Sequence, residues 1–271
     1  MDGLGRTLLA AGHKTNYHEA GAGKPLVLLH GSGPGVSGWS NWASSMPAFS
    51  DAWRVIVPDI AGFGFTEFHQ DTKYDIKLWV AHLVGILDAL DIEKASFIGN
   101  SFGGAVAIGL ALFAPERVDK LVLLGTPAGE FVQTPGLRGA WVYEPSLENM
   151  RALMQLFPYD PSIITDDLVR SRFEASARPG SQQALRKLIP KPADEGETIV
   201  KGFPAAALAK ISAPTLVVHG REDRVVPPAC GQLIANSIPN ADLHLFGQCG
   251  HWVQSEQPRR FVALVRDFLS E

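Results

Sequence analysis

The sequence predicts an α/β protein: a mostly parallel sheet covered by helices on both faces, with a helical segment inserted between two of its strands. Three observations predict it. Short apolar runs alternate with amphipathic stretches along most of the chain, the rhythm of strand–helix–strand units. That alternation stops over 126–206 and then resumes, which marks an insertion. And a serine between two glycines, in Gly99-Asn100-Ser101-Phe102-Gly103, stands where an apolar strand runs into an apolar helix,.

Taken in order, residues 15–19 and 26–29 read as strands joined by the turn Gly21-Ala22-Gly23,. Another strand follows at 54–58. Ile76, Trp79, Val80, Leu83, Leu87 and Leu90 recur at helical spacing, the stripe of an amphipathic helix,. Residues 95–99 form the strand before Ser101, 104–113 the helix after it, and 120–124 a further buried strand. The stretch 126–206 shows no clear strand; it holds Trp141, Tyr143, Phe157, Tyr159 and Phe173 among prolines and short helical patterns. Strands resume at 215–218 and 241–246, with a helix near 229–237 between them. A last helix carries Phe261, Leu264, Val265 and Phe268 on one face. The expected division is a core at 1–127, a helical cap at 128–206 and the rest of the core at 207–271.

Bulk properties narrow the functions. A chain of 271 residues that is 46% hydrophobic can bury a full core,. A net charge of −4 with no basic cluster leaves no nucleic-acid footprint,. The two cysteines, Cys230 and Cys249, fall in different elements, which is no disulfide framework and suits a reducing cytoplasm,. Near the N-terminus, Asp2 and one short apolar run at 8–11 do not make a signal peptide. Residues 95–115 carry no charge and are long enough to cross a bilayer,. Gly99, Asn100, Ser101, Gly103 and Gly104 interrupt that stretch, so a buried strand, tight turn and buried helix explain it better. No membrane partner is expected.

The chemistry gathers around Ser101. A tight turn brings neighbouring chain so close that a Cβ at either flanking glycine would clash. A Gly/Ser pentapeptide alone is also what a flexible surface turn looks like; the strand before it and the helix after it favour a nucleophile. A serine hydroxyl needs a base, and the base needs an orienting acid. In this architecture they follow in the order acid, then histidine, each in a loop after a strand. Asp223, in Gly220-Arg221-Glu222-Asp223-Arg224, is the expected acid, with Glu222 its rival by position. His251, in Cys249-Gly250-His251-Trp252, is the expected base. His13, His69, His82 and His244 read as surface or turn residues, and His30 and His219, at strand ends, as packing or orienting residues. No spacing of histidine and acid suggests a metal, and no cofactor is expected. The loop His30-Gly31-Ser32-Gly33-Pro34-Gly35 follows a strand, where backbone N–H groups of Ser32, Gly33 and Phe102 would face an oxyanion. It is no dinucleotide loop, because its third glycine comes one position early and Pro34 sits inside it. Gly23-Lys24 lacks the earlier glycine of a P-loop, since His18 stands there,.

With these residues placed, the chain resembles the α/β-hydrolase superfamily over its full length, and within it the meta-cleavage product hydrolases of bacterial aromatic degradation. The resemblance rests on the His30-Gly-Ser-Gly-Pro-Gly-Val loop with Trp39 and Asn41, on 99–104, on His219-Gly-Arg-Glu-Asp-Arg-Val-Val-Pro and on Gly247-Gln-Cys-Gly-His-Trp252. It implies an eight-stranded α/β-hydrolase fold and cleavage of a carbon–carbon bond in a 2-hydroxy-6-oxohexa-2,4-dienoate. It implies Ser101 as nucleophile and His251 as proton shuttle, with Gly31, Asn41, Asn100 and Trp252 contacting an anionic dienoate and Arg172 binding its carboxylate. Arg170 and Arg178 are rivals for that last role. The cap segments 134–145 and 175–180 look most like members that take small C6 substituents, from monoalkylbenzenes and catechols. Asp59-Ile-Ala-Gly departs from the family's more usual Asp-Met-Leu-Gly, which removes no expected catalytic group. A homodimer is the expected assembly. An esterase or lactonase on the same triad, or a receptor that keeps the fold without turnover, are the competing functions.

Overall fold

Runs of valine, leucine and isoleucine build the centre of the molecule. A computed structural model describes residues 3–189 and 197–271; Asp2 and the part of the expected cap at 190–196 lie outside the described residues. The strands are β1 (Arg6–Ala10), β2 (His13–Ala20), β3 (Lys24–Leu29), β4 (Trp53–Pro58), β5 (Ala95–Asn100), β6 (Val118–Leu124), β7 (Glu130–Val132), β8 (Ile199–Lys201), β9 (Thr215–Gly220) and β10 (Ala241–Phe246). Eight of them form one sheet in the order β1-β2-β4-β3-β5-β6-β9-β10. β2 pairs antiparallel with β1 and β4, and the other neighbours are parallel. This is the expected fold class.

The helices are α1 (Gly38–Trp42), α2 (Ile76–Ala89), α3 (Phe102–Phe113), α4 (Pro135–Trp141), α5 (Leu147–Met154), α6 (Asp166–Ser176), α7 (Ser181–Leu188), α8 (Ala205–Leu208), α9 (Pro228–Ser237), α10 (Val253–Glu256) and α11 (Pro258–Ser270). Successive strand residues point to opposite faces, so each central strand serves two cores. Val27, Leu29, Phe97 and Val217 pack with Leu83, Val106, Leu110 and Ile234 from α2, α3 and α9. Leu26, Leu28, Ile98 and Val218 pack on the other face with Trp42, Phe261 and Val265 from α1 and α11. Every residue of β5 and β9 is buried. That explains why these strands read as continuous apolar runs rather than alternating ones.

Between β6 and β9 the chain leaves the sheet. Met150, Leu153, Met154, Ile164, Val169 and Leu185 from this stretch form a small core of their own. Side chains of Thr134, Ser146 and Thr165 accept backbone N–H bonds at the starts of α4, α5 and α6, as hydroxyl caps do,. Two expectations are corrected. The stretch contains a strand pair, β7 with β8; three-residue strands, exposed at both ends, carry too little alternation to read. His13 and His82 are buried rather than superficial. His82 lies on the apolar stripe of α2, and its Nε2 meets Thr15 Oγ1 at 2.7 Å while the Ala61 N–H reaches its Nδ1 at 3.4 Å. β1 is an addition: its apolar run is short, and β1 forms an edge of the sheet against β2.

β3 lies between β4 and β5, so the chain leaves β3 towards one edge and later returns to its other side. Such a reversal opens a crevice at the strands' carboxyl ends. The loop at 30–35 and Ser101 both stand there.

Candidate active site

Ser101 has φ +53° and ψ −115°, a conformation that costs a residue with a Cβ and persists only where surroundings enforce it,. The surroundings here are crowded. A Cβ on Gly99 would stand 2.6 Å from the Gly103 carbonyl, and one on Gly103 would stand 2.5 Å from the Leu29 carbonyl. The flanking glycines therefore let β5, the elbow and the end of β3 touch. The Ser101 N–H donates to Leu124 O on β6 at 2.7 Å. The backbone N–H of Phe102 opens α3 and lacks an intrahelical partner.

β9 ends in the turn that carries Asp223, and the loop after β10 carries His251. His251 Nδ1 donates to Asp223 Oδ2 at 2.7 Å. Oδ1 of the same carboxylate accepts the N–H groups of Val225 at 2.7 Å and Val226 at 2.9 Å. His219 Nε2 stands 3.2 Å from Oδ2 and donates to Val226 O at 3.0 Å. Burial, the largest influence, would raise the Asp223 pKa. The imidazoles of His251 and His219 outweigh it and hold this carboxyl well below the usual range. Glu222, its neighbour and rival, turns away: its carboxylate accepts from Cys249 N at 3.1 Å and pairs with Arg221 at 2.9 Å.

The loop after β3 is organised from behind. Burial pushes the His30 pKa down to about 4, although its bond to Gly31 works the other way. The neutral ring accepts the Ile60 N–H at Nε2 (2.9 Å) and donates from Nδ1 to Gly31 O at 2.7 Å. Asn41 Oδ1 takes the Gly31 N–H at 3.1 Å. Gly31 thus has both backbone polar groups engaged, and Ser32 and Gly33 line the cavity beside Ser101. Asp59 anchors the other side, accepting from Gly38 N at 2.6 Å and Phe65 N at 2.8 Å.

Ser101 separates two lobes of one cleft. The polar lobe is tight, about 40 Å³, and Ser32, Asn41, Asn100, Arg172, His251 and Trp252 line it together with Ser101. The other lobe, about 420 Å³, is walled by apolar groups that include Trp79, Phe102, Leu137, Trp141 and Val226. Trp252 stacks on Phe157 with ring centres 5.2 Å apart. The Arg172 side chain is half-buried, and desolvation alone lowers its pKa to about 10. No carboxylate pairs with it among the described residues. Arg170 is exposed on α6, and Arg178 lies over the Phe65 ring at 4.1 Å, away from the polar lobe. Of the three arginines, Arg172 alone reaches the wall shared with Ser101.

Sequence reasoning did not single out Glu256. Its carboxylate accepts the N–H groups of Tyr159 at 2.7 Å, Gly250 at 2.8 Å and Trp252 at 3.0 Å. It therefore grips the chain on both sides of His251. Nor was Gly125 singled out, where a Cβ would press on the His251 ring at 3.1 Å. Among the described residues no group of histidines, cysteines and acids could hold a metal ion, and no helix is long and apolar enough to cross a membrane.

The model of the alpha/beta hydrolase family matches residues 26–264. The chain is 46% identical over 270 residues to a 2-hydroxymuconate semialdehyde hydrolase of Pseudomonas sp. strain CF600, covering 99% of this chain and 94% of that one. It is likewise 46% identical over 267 residues to a 2-hydroxy-6-oxo-2,4-heptadienoate hydrolase of Pseudomonas putida, covering 98% and 96%. Among solved structures it is similar to the meta-cleavage product hydrolase CumD of Pseudomonas fluorescens. That structure, a serine-to-alanine mutant complexed with acetates, has a TM-score of 0.92, 45% identity and coverage of 98% of both chains.

Proposed function

The chain belongs to the alpha/beta hydrolase family, and from that premise we propose that it hydrolyses the C5–C6 carbon–carbon bond of 2-hydroxy-6-oxohexa-2,4-dienoates. The products are 2-hydroxypenta-2,4-dienoate and a carboxylic acid. One observation carries the reading: a half-buried arginine with no carboxylate partner among the described residues, Arg172, shares a cavity wall with Ser101 and His251. An esterase on the same residues has no use for an unpaired cation there. A dienoate does, since its carboxylate meets the guanidinium in a charge-assisted pair. The relatives named for 2-hydroxymuconate semialdehyde and 2-hydroxy-6-oxo-2,4-heptadienoate support the same substrate class and a small C6 substituent.

The chemistry follows from the geometry. Carbon is a poor leaving group, so the dienol must first become a ketone, and cleavage then expels a delocalised dienolate. Asp223 holds the proton of His251 on Nδ1, which leaves Nε2 free to accept one. His251 moves the proton from the 2-hydroxyl to C5 for the tautomerisation, relieves Ser101 of its proton during attack on C6, and gives that proton to the 2-oxygen of the departing dienolate as the bond breaks. Water supplies the oxygen that ends on C6. N–H groups of Phe102, Ser32 and Gly33 meet the oxyanion, with the α3 N-terminus behind them. Asn41, Asn100, Arg172 and Trp252 hold the dienoate in the polar lobe, and the apolar lobe takes the C6 substituent. Residues 128–206 act as the lid over both lobes. The buried free thiols of Cys230 and Cys249 suit work in a reducing cytoplasm,. Two copies form the working assembly; a monomer mass by light scattering would refute that.

The test is loss of the yellow dienolate absorbance when 2-hydroxy-6-oxohepta-2,4-dienoate and its 6-phenyl analogue meet the purified protein. Fast bleaching of the methyl compound, slower bleaching of the phenyl compound and loss of both in Ser101→Ala are expected. No bleaching beside brisk turnover of p-nitrophenyl acetate would overturn the reading in favour of an esterase.

A further inference from the structure

Two histidines hold consecutive backbone N–H groups behind the loop at 30–35. The Ile60 N–H donates to His30 Nε2 at 2.9 Å, and the Ala61 N–H donates to His82 Nδ1 at 3.4 Å. Thr15, His30, Ile60, Ala61 and His82 are all fully buried. The tautomer of His82 follows from its other neighbour. Thr15 has one hydroxyl hydrogen, which it donates to His13 O at 3.1 Å,. Thr15 Oγ1 therefore accepts from His82 Nε2, at 2.7 Å. Nε2 carries the proton, and Nδ1 is the bare acceptor that the Ala61 N–H needs. Trp79 stands one turn before His82 on the same face of α2,. Its Nε1 donates to Ala61 O at 3.2 Å. Side chains of α2 thus grip both backbone polar groups of Ala61.

The grip reaches the site from two directions. His30, whose Nε2 takes the Ile60 N–H, donates from Nδ1 to Gly31 O at 2.7 Å and so holds the chain that runs into Ser32 and Gly33. Trp79 packs edge-on against Phe102 with ring centres 4.6 Å apart. Phe63 then bridges Phe102 and His30, at 5.4 and 5.2 Å. The contacts close on themselves, from residues 60–61 through Trp79, Phe102, Phe63 and His30 back to Ile60. The loop after β3 and the residue after Ser101 therefore lean on one short segment, the Ile60-Ala61 of Asp59-Ile-Ala-Gly. His82 lines neither lobe of the cleft. Its hold on that segment is the Ala61 N–H, and a buried N–H left without an acceptor must shift to find one. We infer that His82 is a positioning residue: by accepting the Ala61 N–H it fixes residues 60–61 and, through His30, the loop that carries the oxyanion donors. This rests on the function proposed above.

The test uses two partial mimics of the imidazole. In His82→Asn the amide oxygen stands where Nδ1 stood and keeps the Ala61 N–H, while Thr15 loses its donor. In His82→Gln the amide NH₂ keeps Thr15, while the Ala61 N–H loses its acceptor. Each variant gives up part of a ring and one buried hydrogen bond, so both should melt lower by similar amounts. In His82→Gln, kcat for bleaching should fall about tenfold with KM within about twofold, because a small displacement around the reacting centre is felt in the rate. In His82→Asn, kcat should stay within about threefold of wild type, since the acceptor is kept. Turnover of p-nitrophenyl acetate should show the same split, because its tetrahedral intermediate needs the same oxyanion donors. A merely structural role would lower both melting curves and leave kcat alike in the two variants, which overturns the inference. Nitrogen NMR of the wild-type ring decides without any variant: a proton on Nδ1 of His82 instead of Nε2 overturns it as well. Absence of bleaching in the wild type would instead remove the proposed function, and the p-nitrophenyl acetate comparison would still decide on His82.

Discussion

Asp223→Asn changes almost no volume and separates orientation from packing. The carboxylate faces four donors: Val225 and Val226 N–H at 2.7 and 2.9 Å on Oδ1, and His251 Nδ1 and His219 Nε2 at 2.7 and 3.2 Å near Oδ2. An amide offers one oxygen and one NH₂ group. If the NH₂ faced the two valine N–H groups, both would lose their partner while buried, at about 1–3 kcal/mol each. The oxygen therefore keeps the valines and the NH₂ turns to His251. Nδ1 must then accept, so the imidazole proton moves to Nε2, and the ring has no lone pair left for Ser101. A wrong tautomer costs on the order of 10⁴ in kcat, about 5.5 kcal/mol. Stopped-flow bleaching at saturating dienoate measures the loss, and nitrogen NMR of the His251 ring reports the tautomer. Glu222→Gln is the control, expected within about threefold of wild type because that carboxylate serves Cys249 N and Arg221 and is exposed enough to be screened,. A folded Asp223→Asn protein within tenfold of wild type would refute the argument.

Two further outcomes are expected. Arg172→Ala should raise KM for the dienoate by about 10- to 100-fold, the worth of a charge-assisted pair, and an unchanged KM in initial-rate bleaching would remove Arg172 from the site. Acid should weaken the fold before it protonates the folded histidines. Burial holds His30 at about 4 and His82 at about 3, against an ordinary value of 6.5. The unfolded chain therefore binds those protons first, and stability falls as pH drops from about 6.5 towards these values, by about 3 kcal/mol for His30 alone. Urea midpoints that stay level between pH 7 and pH 5 would contradict this.

What could be read from the sequence was what is local along the chain. Ser101, Asp223 and His251 each follow a strand that shows its own apolar pattern, and their order is a property of the chain alone. The crowding at Gly99 and Gly103 was equally local, since a strand, a turn and a helix leave room for nothing larger. What stayed hidden depends on distant packing. His82 was misplaced because a histidine on a helix stripe reads as polar, although its spacing from Trp79 and Ile86 puts it on the buried face. Choosing Arg172 over Arg170 and Arg178 leaned on resemblance, because which side of α6 faces the cleft depends on how it docks. Glu256 gave no signal, because its partners are backbone groups that sequence spacing does not reveal.

Glu256 also bears on how the inserted segment and the chemistry are coupled. Its Oε2 takes the N–H groups of Tyr159 and Gly250, its Oε1 takes that of Trp252, and the His251 N–H donates to Phe157 O at 2.7 Å. The backbone of His251 is thus stitched to residues 157–159, and one carboxylate holds three of the four stitches. In Glu256→Gln the amide oxygen can keep the Tyr159 and Gly250 bonds, but its NH₂ then opposes the Trp252 N–H. One lost bond to a charged acceptor should cost about 1–3 kcal/mol of stability. If the stitch also sets where His251 points, kcat should fall by about tenfold, since a small misplacement of a base is felt in the rate. KM should move less, because Arg172 and Asn41 are not touched. A lower melting temperature with unchanged kcat would show that the carboxylate holds the loop without aiming the histidine. If neither changed, the three hydrogen bonds would contribute nothing that the loop does not already have from its own packing.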